Sequence, residues 1–160
     1  MGVFNPTARM QEIFWELNIY LKGGNPSGYS VAQRFEFWKA AIGIIKENFF
    51  IGVGTGDVEK AFDEQYEKIN SPLTQEWRLR SHNQFLAIGT AFGVIGILWF
   101  LIALFYPLLS LKNYKDYFYL TFFIISFLSM LTEDTLETQV GITFFAFFNS
   151  LFLFCREDKT

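Results

Sequence analysis

QFLAIGTAFGVIGILWFLIALFYPLLSL, residues 84–111, runs for 28 residues without a charged side chain. As one helix it measures about 42 Å at ~1.5 Å per residue, ample for a hydrocarbon core of ~30 Å. Buried helices of soluble domains seldom reach that length without a charge, so the stretch predicts a transmembrane helix in preference to a water-soluble helical core. All ten charges beyond residue 83 fall in three clusters: Lys112, Lys115 and Asp116; Glu133, Asp134 and Glu137; and Arg156 to Lys159. Between them lie two more Phe-rich runs, 117–132 and 138–155, close to the minimum of ~17–20 residues that spans a bilayer. Each spans with help from flanking side chains, or the pair forms a re-entrant hairpin. The expected fold is therefore all-α: a polytopic membrane protein with about three C-terminal transmembrane helices, after a loop of amphipathic helices.

Short loops set the orientation, because Lys and Arg mark the cytoplasmic side. Lys112 and Lys115 follow the first span, and Arg156 and Lys159 form the tail, which places both inside. The segment Glu133-Asp134-Thr135-Leu136-Glu137 has no Lys or Arg and belongs outside, and three spans then put residues 1–83 outside as well. Long translocated regions largely escape the charge rule, so the nine Lys and Arg of residues 1–83 do not oppose this. The predicted division is an extracytoplasmic helical loop, 1–83, carrying the candidate site, and a membrane domain, 84–160, with a short cytoplasmic tail. The first residues, Met1 to Pro6, carry neither the charged start and apolar stretch of an export signal nor the Ser or Thr that myristoylation needs at position 6. An 83-residue polar segment with nothing to direct it outward implies further spans upstream, or a partner that supplies them.

The rest of the composition excludes other classes. One Cys and one His supply neither a disulfide framework nor a zinc ligand set, and a net charge of −3 gives no basic surface for nucleic acid. No cofactor is expected.

Within residues 1–83, apolar positions Met10, Ile13, Phe14, Leu17 and Leu21 predict a helix over 8–22, ended by Gly23-Gly24-Asn25-Pro26. Ser30 and Gln33 form a capping box for a second helix, with Val31, Phe35, Trp38, Ile42, Ile45 and Phe49 on one stripe of roughly 80° and Lys39, Lys46 and Arg34 on its borders. That stripe suits a membrane interface or packing against other helices of the same protein. The segment reads as helices joined by turns without a core of their own. Gly52-Val53-Gly54-Thr55-Gly56-Asp57 lacks the Lys-Ser or Lys-Thr of a phosphate loop and reads as a glycine turn, with Asp57 capping the next helix.

Trp77-Arg78-Leu79-Arg80-Ser81-His82-Asn83-Gln84 stands before the long run. Ser81 and Gln84 form a second capping box that starts the helix at His82, the sole histidine, two residues from Arg80. Unpaired helix amides with Arg78 and Arg80 attract an anion, and positive surroundings disfavour imidazolium, leaving a neutral base beside a phosphate cradle. The plainer alternative is that these residues anchor a helix at the headgroups. Gly89, Gly93 and Gly96 share one helix face suited to close packing in lipid, and Cys155 reads as an apolar filler.

Taken in order, Arg34-Phe35-Glu36-Phe37-Trp38-Lys39, Asn48-Phe49-Phe50-Ile51-Gly52-Val53-Gly54, His82-Asn83-Gln84-Phe85-Leu86 and Phe92-Gly93-Val94-Ile95-Gly96-Ile97 resemble the O-antigen ligase and O-antigen polymerase superfamily, over roughly residues 30–150. The resemblance implies a multi-pass glycosyltransferase of the bacterial inner membrane. It transfers a glycan from an undecaprenyl diphosphate carrier to a glycan, lipid or protein hydroxyl, with inversion and without a metal. By that resemblance His82 matches the general base and Arg34 the loop arginine that binds the carrier diphosphate. Arg80 is carried as a second diphosphate ligand from its spacing to His82, and Glu133 and Asp134 as residues that orient the acceptor or the base. Members have many more spans, so the chain reads as the C-terminal portion of such an enzyme. The rival from another class is a small non-catalytic membrane protein that binds a partner through its stripe and glycine face.

Overall fold

A computed structural model describes residues 6–110 and 115–154. Six α-helices follow in order: α1 (Pro6–Leu21), α2 (Ala32–Glu47), α3 (Val58–Lys68), α4 (Gln84–Ser110), α5 (Tyr117–Thr132) and α6 (Gln139–Phe154), with 3-10 turns at Gln75–Trp77 and Thr135–Glu137. No strand occurs among the described residues, so the all-α expectation holds. Lys112, the C-terminal charges and Cys155 lie outside the described residues.

α4 is long and apolar enough to cross a membrane by length and composition, with a mean hydropathy of 2.4 and only 28% of that stretch buried. α5 and α6 are apolar but shorter, at 16 residues each. The expectation of one unbroken span over 84–111 is corrected by Gly93, whose φ of 65° and ψ of −162° interrupt the helix. A straight helix would separate residues 85 and 100 by about 22 Å, yet the Phe85 and Phe100 rings are 5.6 Å apart, so the halves of α4 fold toward each other. The part of α4 beyond the break, residues 94–110 with Pro107 inside it, measures about 25 Å at ~1.5 Å per residue, which matches the ~24 Å of α5 and of α6. Gly93 therefore does not share a packing face with Gly89 and Gly96. Gly89 instead admits Ile45 of α2, whose Cδ1 would lie 2.7 Å from an added Cβ.

The break is closed by another part of the chain. The loop after α2 donates Val53 N–H to Thr90 O and Gly54 N–H to Ala91 O, both at 2.9 Å. In the reverse sense, Val94 and Ile95 donate to the carbonyls of Phe49 (2.8 Å) and Phe50 (3.3 Å). Both sides of the interrupted helix thus recover partners for backbone groups that the break leaves without helical ones. Gly52 (φ 66°) and Gly93 are the residues that let the two backbones touch: a Cβ on either would lie 2.4–2.6 Å from backbone atoms of the opposing segment.

Residues 30–83 do have a core, which corrects the expectation of helices without one. Phe37, Ala40, Ala41 and Ile44 of α2 pack on Phe62 and Tyr66 of α3 and on Leu73. The anticipated stripe is not this face, since Phe35, Ile42 and Phe49 are all more than 40% exposed. Apolar residues on two sides of α2 account for the difference, and the small Ala40 and Ala41 allow the closer approach. Neither capping box forms as expected. Ser30 accepts from Arg9, the N–H of Val31 goes to buried Glu16, and Gln33 Oε1 is unpaired. Asp57 does precede α3, without a side-chain cap bond.

A second core joins Leu104 and Leu108 of α4 to Tyr119, Phe123 and Met130 of α5, with Phe145 and Phe152 of α6 against it. Asp116 caps α5 by accepting from Phe118 N–H and Tyr119 N–H, and Tyr119 donates to Asn149 of α6 at 3.1 Å. Inside an apolar bundle that bond gives two polar groups each other as partners.

Candidate functional site at the start of α4 and the end of α5

The stretch before α4 differs from its expected form in a way that shapes the site. Asn83, not Ser81, caps the helix: its Oδ1 accepts from Phe85 N–H and Leu86 N–H, each at 3.0 Å, and α4 begins at Gln84. His82 is thereby excluded from the helix and takes a φ of 45°. A left-handed histidine is uncommon, and sparsely populated conformations of this kind cost on the order of 1–3 kcal/mol. Neighbouring bonds hold it there. Trp38 Nε1 donates to Ser81 O at 3.0 Å, Ser81 Oγ to Asn83 O at 3.2 Å, and Asn83 Nδ2 to Leu131 O at 2.8 Å. The Phe37 ring lies 5.7 Å from the imidazole.

The turn that follows α5 comes up against this segment. His82 Nδ1 is 3.2 Å from Glu133 Oε2 and 4.0 Å from Asp134 Oδ1. Arg34, in the first turn of α2, donates Nη2 to Glu133 Oε1 at 2.7 Å and Nη1 to the Thr132 carbonyl. One carboxylate thus joins an arginine and a histidine that lie 99 and 51 residues from it in sequence. The purely positive surroundings expected of His82 are corrected by these two carboxylates on its Nδ1 side. Arg80 does not join the group: its Nη1 pairs with Glu137 Oε2 at 3.2 Å. That pair borders a separate cavity of about 280 Å³, floored by Ala87, Thr90 and Ala91 and edged by Ser81 and Gln84. Gln84 Oε1 accepts from Leu136 N–H at 2.7 Å, which fixes the turn against α4.

Chemically, the cluster offers an imidazole whose Nδ1 faces a carboxylate, leaving Nε2 as the other exchangeable position, next to a guanidinium suited to an anion. His82, Glu133 and Asp134 also place one ligand atom each within 4.8 Å of one another, a spacing compatible with a cation. Both Glu133 oxygens are already engaged, by Arg34 and by His82.

Sequence reasoning missed the structural residues around the site: Asn83 as cap and strut, Trp38 as donor to Ser81 O, and Glu36. Glu36 is 1% exposed and accepts from Tyr20 Oη at 2.7 Å and Ser71 Oγ at 2.6 Å, joining α1 and the segment after α3 to α2. Burial and the Glu36 carboxylate push the Tyr20 phenol up to about 12, and burial with the same carboxylate raises Tyr66. An acidic residue between Phe35 and Phe37 was the available signal.

No curated protein and no solved structure matches this chain. The family model described as O-Antigen ligase matches residues 7–101, more than half of the sequence, including Arg34, Arg80, His82 and the glycine clasp of the α4 break. That family is associated with the membrane and with polysaccharide biosynthesis, and among the described residues one helix, α4, is long and apolar enough to cross a membrane by length and composition. The chain belongs to the O-antigen ligase family.

Proposed function

We propose that the chain carries the reacting groups of an inverting glycosyl transfer on the extracytoplasmic face of the bacterial inner membrane. The donor is an undecaprenyl diphosphate-linked glycan and the acceptor a hydroxyl of a lipid, a protein or a second glycan, the last corresponding to a polymerase. The observation that carries the reading is the convergence of Arg34 and His82 on Glu133. Glu133 accepts from Nδ1–H of His82, which leaves Nε2 as the proton acceptor and fixes the ring plane. Nε2 takes the proton of the acceptor hydroxyl as its oxygen bonds to the anomeric carbon. The bond from that carbon to the phosphate oxygen breaks on the opposite face, and the electron pair leaves with the diphosphate. Arg34 stabilises that charge, a use of preorganised donors of the kind that dominates many active sites. Arg80 contributes by exchanging Glu137 for a phosphate oxygen. Asp134 keeps the acceptor hydroxyl oriented, and the step needs no metal.

Three spans suit this reading. Residues 94–110, α5 and α6 have matched lengths of ~24–25 Å, slightly under the hydrocarbon thickness, a mismatch that local thinning accommodates. Exposed apolar residues on all three, such as Trp99, Ile125 and Phe147, then face lipid. The outer ends carry residues 6–83, and Lys115 faces the cytoplasm. The test is transfer by His82→Ala at unchanged abundance: abolished transfer is expected, and retained transfer overturns the role. A silent His82→Ala with loss of assembly in a Gly89 variant would favour a non-catalytic membrane protein. Transfer that fails in EDTA and returns with magnesium would overturn the metal-free step.

A further inference from the structure

The exposed apolar side of α2 is tied to the membrane bundle at both of its ends. At the first turn, Arg34 binds the Thr132 carbonyl and the Glu133 carboxylate at the C-terminal end of α5. At the far end, Phe49 and Phe50 accept from Val94 and Ile95, where the second part of α4 begins. These two helix ends are level. Residues 94–110 and α5 are antiparallel neighbours of nearly equal length, in register where the Phe105 and Phe123 rings meet at 5.2 Å. A helix fastened to both lies across the end of the bundle, in the plane of the membrane surface.

The side chains on its free side fit that position. Phe50 and Ile51 are 68% and 74% exposed, and Phe35, Ile42 and Phe49 continue the same surface along α2. No charge occurs from residue 48 to 56. Ile51 also closes an apolar groove of about 520 Å³ with Phe92, Ile95 and Trp99, so this surface continues into the exposed face of α4. The loop could not leave that level without giving up its four backbone bonds to α4. Lys39 and Lys46 are exposed on the border of the strip, where an interfacial helix places cations for lipid phosphates.

We infer that α2 and the loop after it lie flat in the outer leaflet, with Phe35, Ile42, Phe49, Phe50 and Ile51 in contact with acyl chains and Lys39 and Lys46 against anionic headgroups. The inference rests on the membrane-embedded reading of α4 to α6. It places Arg34 at headgroup depth, where a lipid-borne diphosphate lies.

The experiment uses the full chain with Cys155→Ala, carrying one spin label at Phe50→Cys, Ile42→Cys, Ile102→Cys or Lys60→Cys. The protein is reconstituted in phosphatidylethanolamine and phosphatidylglycerol vesicles, and relaxation by oxygen is compared with relaxation by a water-soluble nickel chelate. All four positions are exposed, so the labels displace little packing. The oxygen-to-nickel ratio at Phe50 and Ile42 is expected to be several-fold that at Lys60 and below that at Ile102. Nickel-dominated relaxation at Phe50 with oxygen dominating at Ile102 overturns the inference alone. Nickel dominance at Ile102 too overturns the membrane reading with it. Low access to both reagents at Phe50 and Ile42 also overturns it, because a protein surface would then be the occupant.

Discussion

Gly93→Ala tests the junction on which the arrangement of α2 and α4 depends. The wild-type conformation, φ 65° and ψ −162°, lies in a region that residues with a Cβ enter only at a cost on the order of 1–3 kcal/mol. The added Cβ would also stand 2.4 Å from Phe50 C and 2.6 Å from Ile51 N, backbone atoms that cannot rotate aside. If relief of that clash breaks two of the four cross-bonds, at ~1 kcal/mol each, the total reaches about 4 kcal/mol. An alanine that straightened α4 would regain only ~1 kcal/mol of helix preference, and would separate Phe85 from Phe100. At ~2–4 °C per kcal/mol for a chain of this size, the melting midpoint in detergent falls by roughly 10 °C. Gly52→Ala opposes Ala91 and Phe92 in the same way and should match it, whereas Gly56→Ala, with nothing within 4 Å, should be neutral. Because both glycines serve one junction, the double variant is expected to cost little more than either single one. A Gly93→Ala midpoint within about 2 °C of wild type, well short of the shift that scale gives, or full additivity with Gly52→Ala, refutes the reasoning.

Arg34→Lys should lower transfer sharply while leaving abundance intact, since one ammonium cannot bridge Thr132 O and Glu133 as the planar fork does; equal rates in a membrane transfer assay would remove Arg34 from the site. Glu133→Gln is expected to reduce the rate and alter its pH profile, because it weakens the hold on His82 Nδ1; a lowered rate with an unchanged profile would mean that Glu133 only supports the fold. Asn83→Ala removes a helix cap, a loss of typically ~1 kcal/mol, together with the strut to Leu131 O, and should lower the melting midpoint. In the alkaline range, Tyr20 contributes stability below its unfolded value near 10, and that contribution is lost as pH rises toward about 12, because the folded state holds the proton more tightly. Unfolding followed from pH 9 to 12 should show a loss that Tyr20→Phe reduces.

The helices were legible because their signals are local. Apolar periodicity placed α1 and α2, and the charge clusters marked the limits of α5 and α6 within a residue or two. The break at Gly93 was not legible, since a glycine within an apolar run reads equally as a packing notch. What decides between notch and break is whether another backbone arrives to take the freed N–H and C=O groups, and here it comes from residues 49–54, some forty positions earlier. The buried face of α2 was not legible for a related reason. Its stripe of large residues is real, but the chain buries the side with small alanines, because α3 can approach closely only there.

The candidate site was legible by residue type and not by pairing. His82 is the sole histidine, and the acidic turn at 133–137 is an isolated charge cluster, so both stand out in the sequence. That Glu133 receives Arg34 and His82 while Glu137 receives Arg80 depends on the height at which α5 ends beside α2 and α4. That height follows from the break: a continuous α4 would carry its N-terminus about 13 Å beyond residue 93, at ~1.5 Å for each residue from 84 to 93. The fold at Gly93 instead returns Asn83 to the end of α5, where its amide reaches Leu131 O and its neighbour His82 reaches Glu133. The glycine that spoils the long span is thus what brings the histidine to its carboxylate, and a variant that straightens α4 should lose the His82–Glu133 contact even if every side chain of the site is intact.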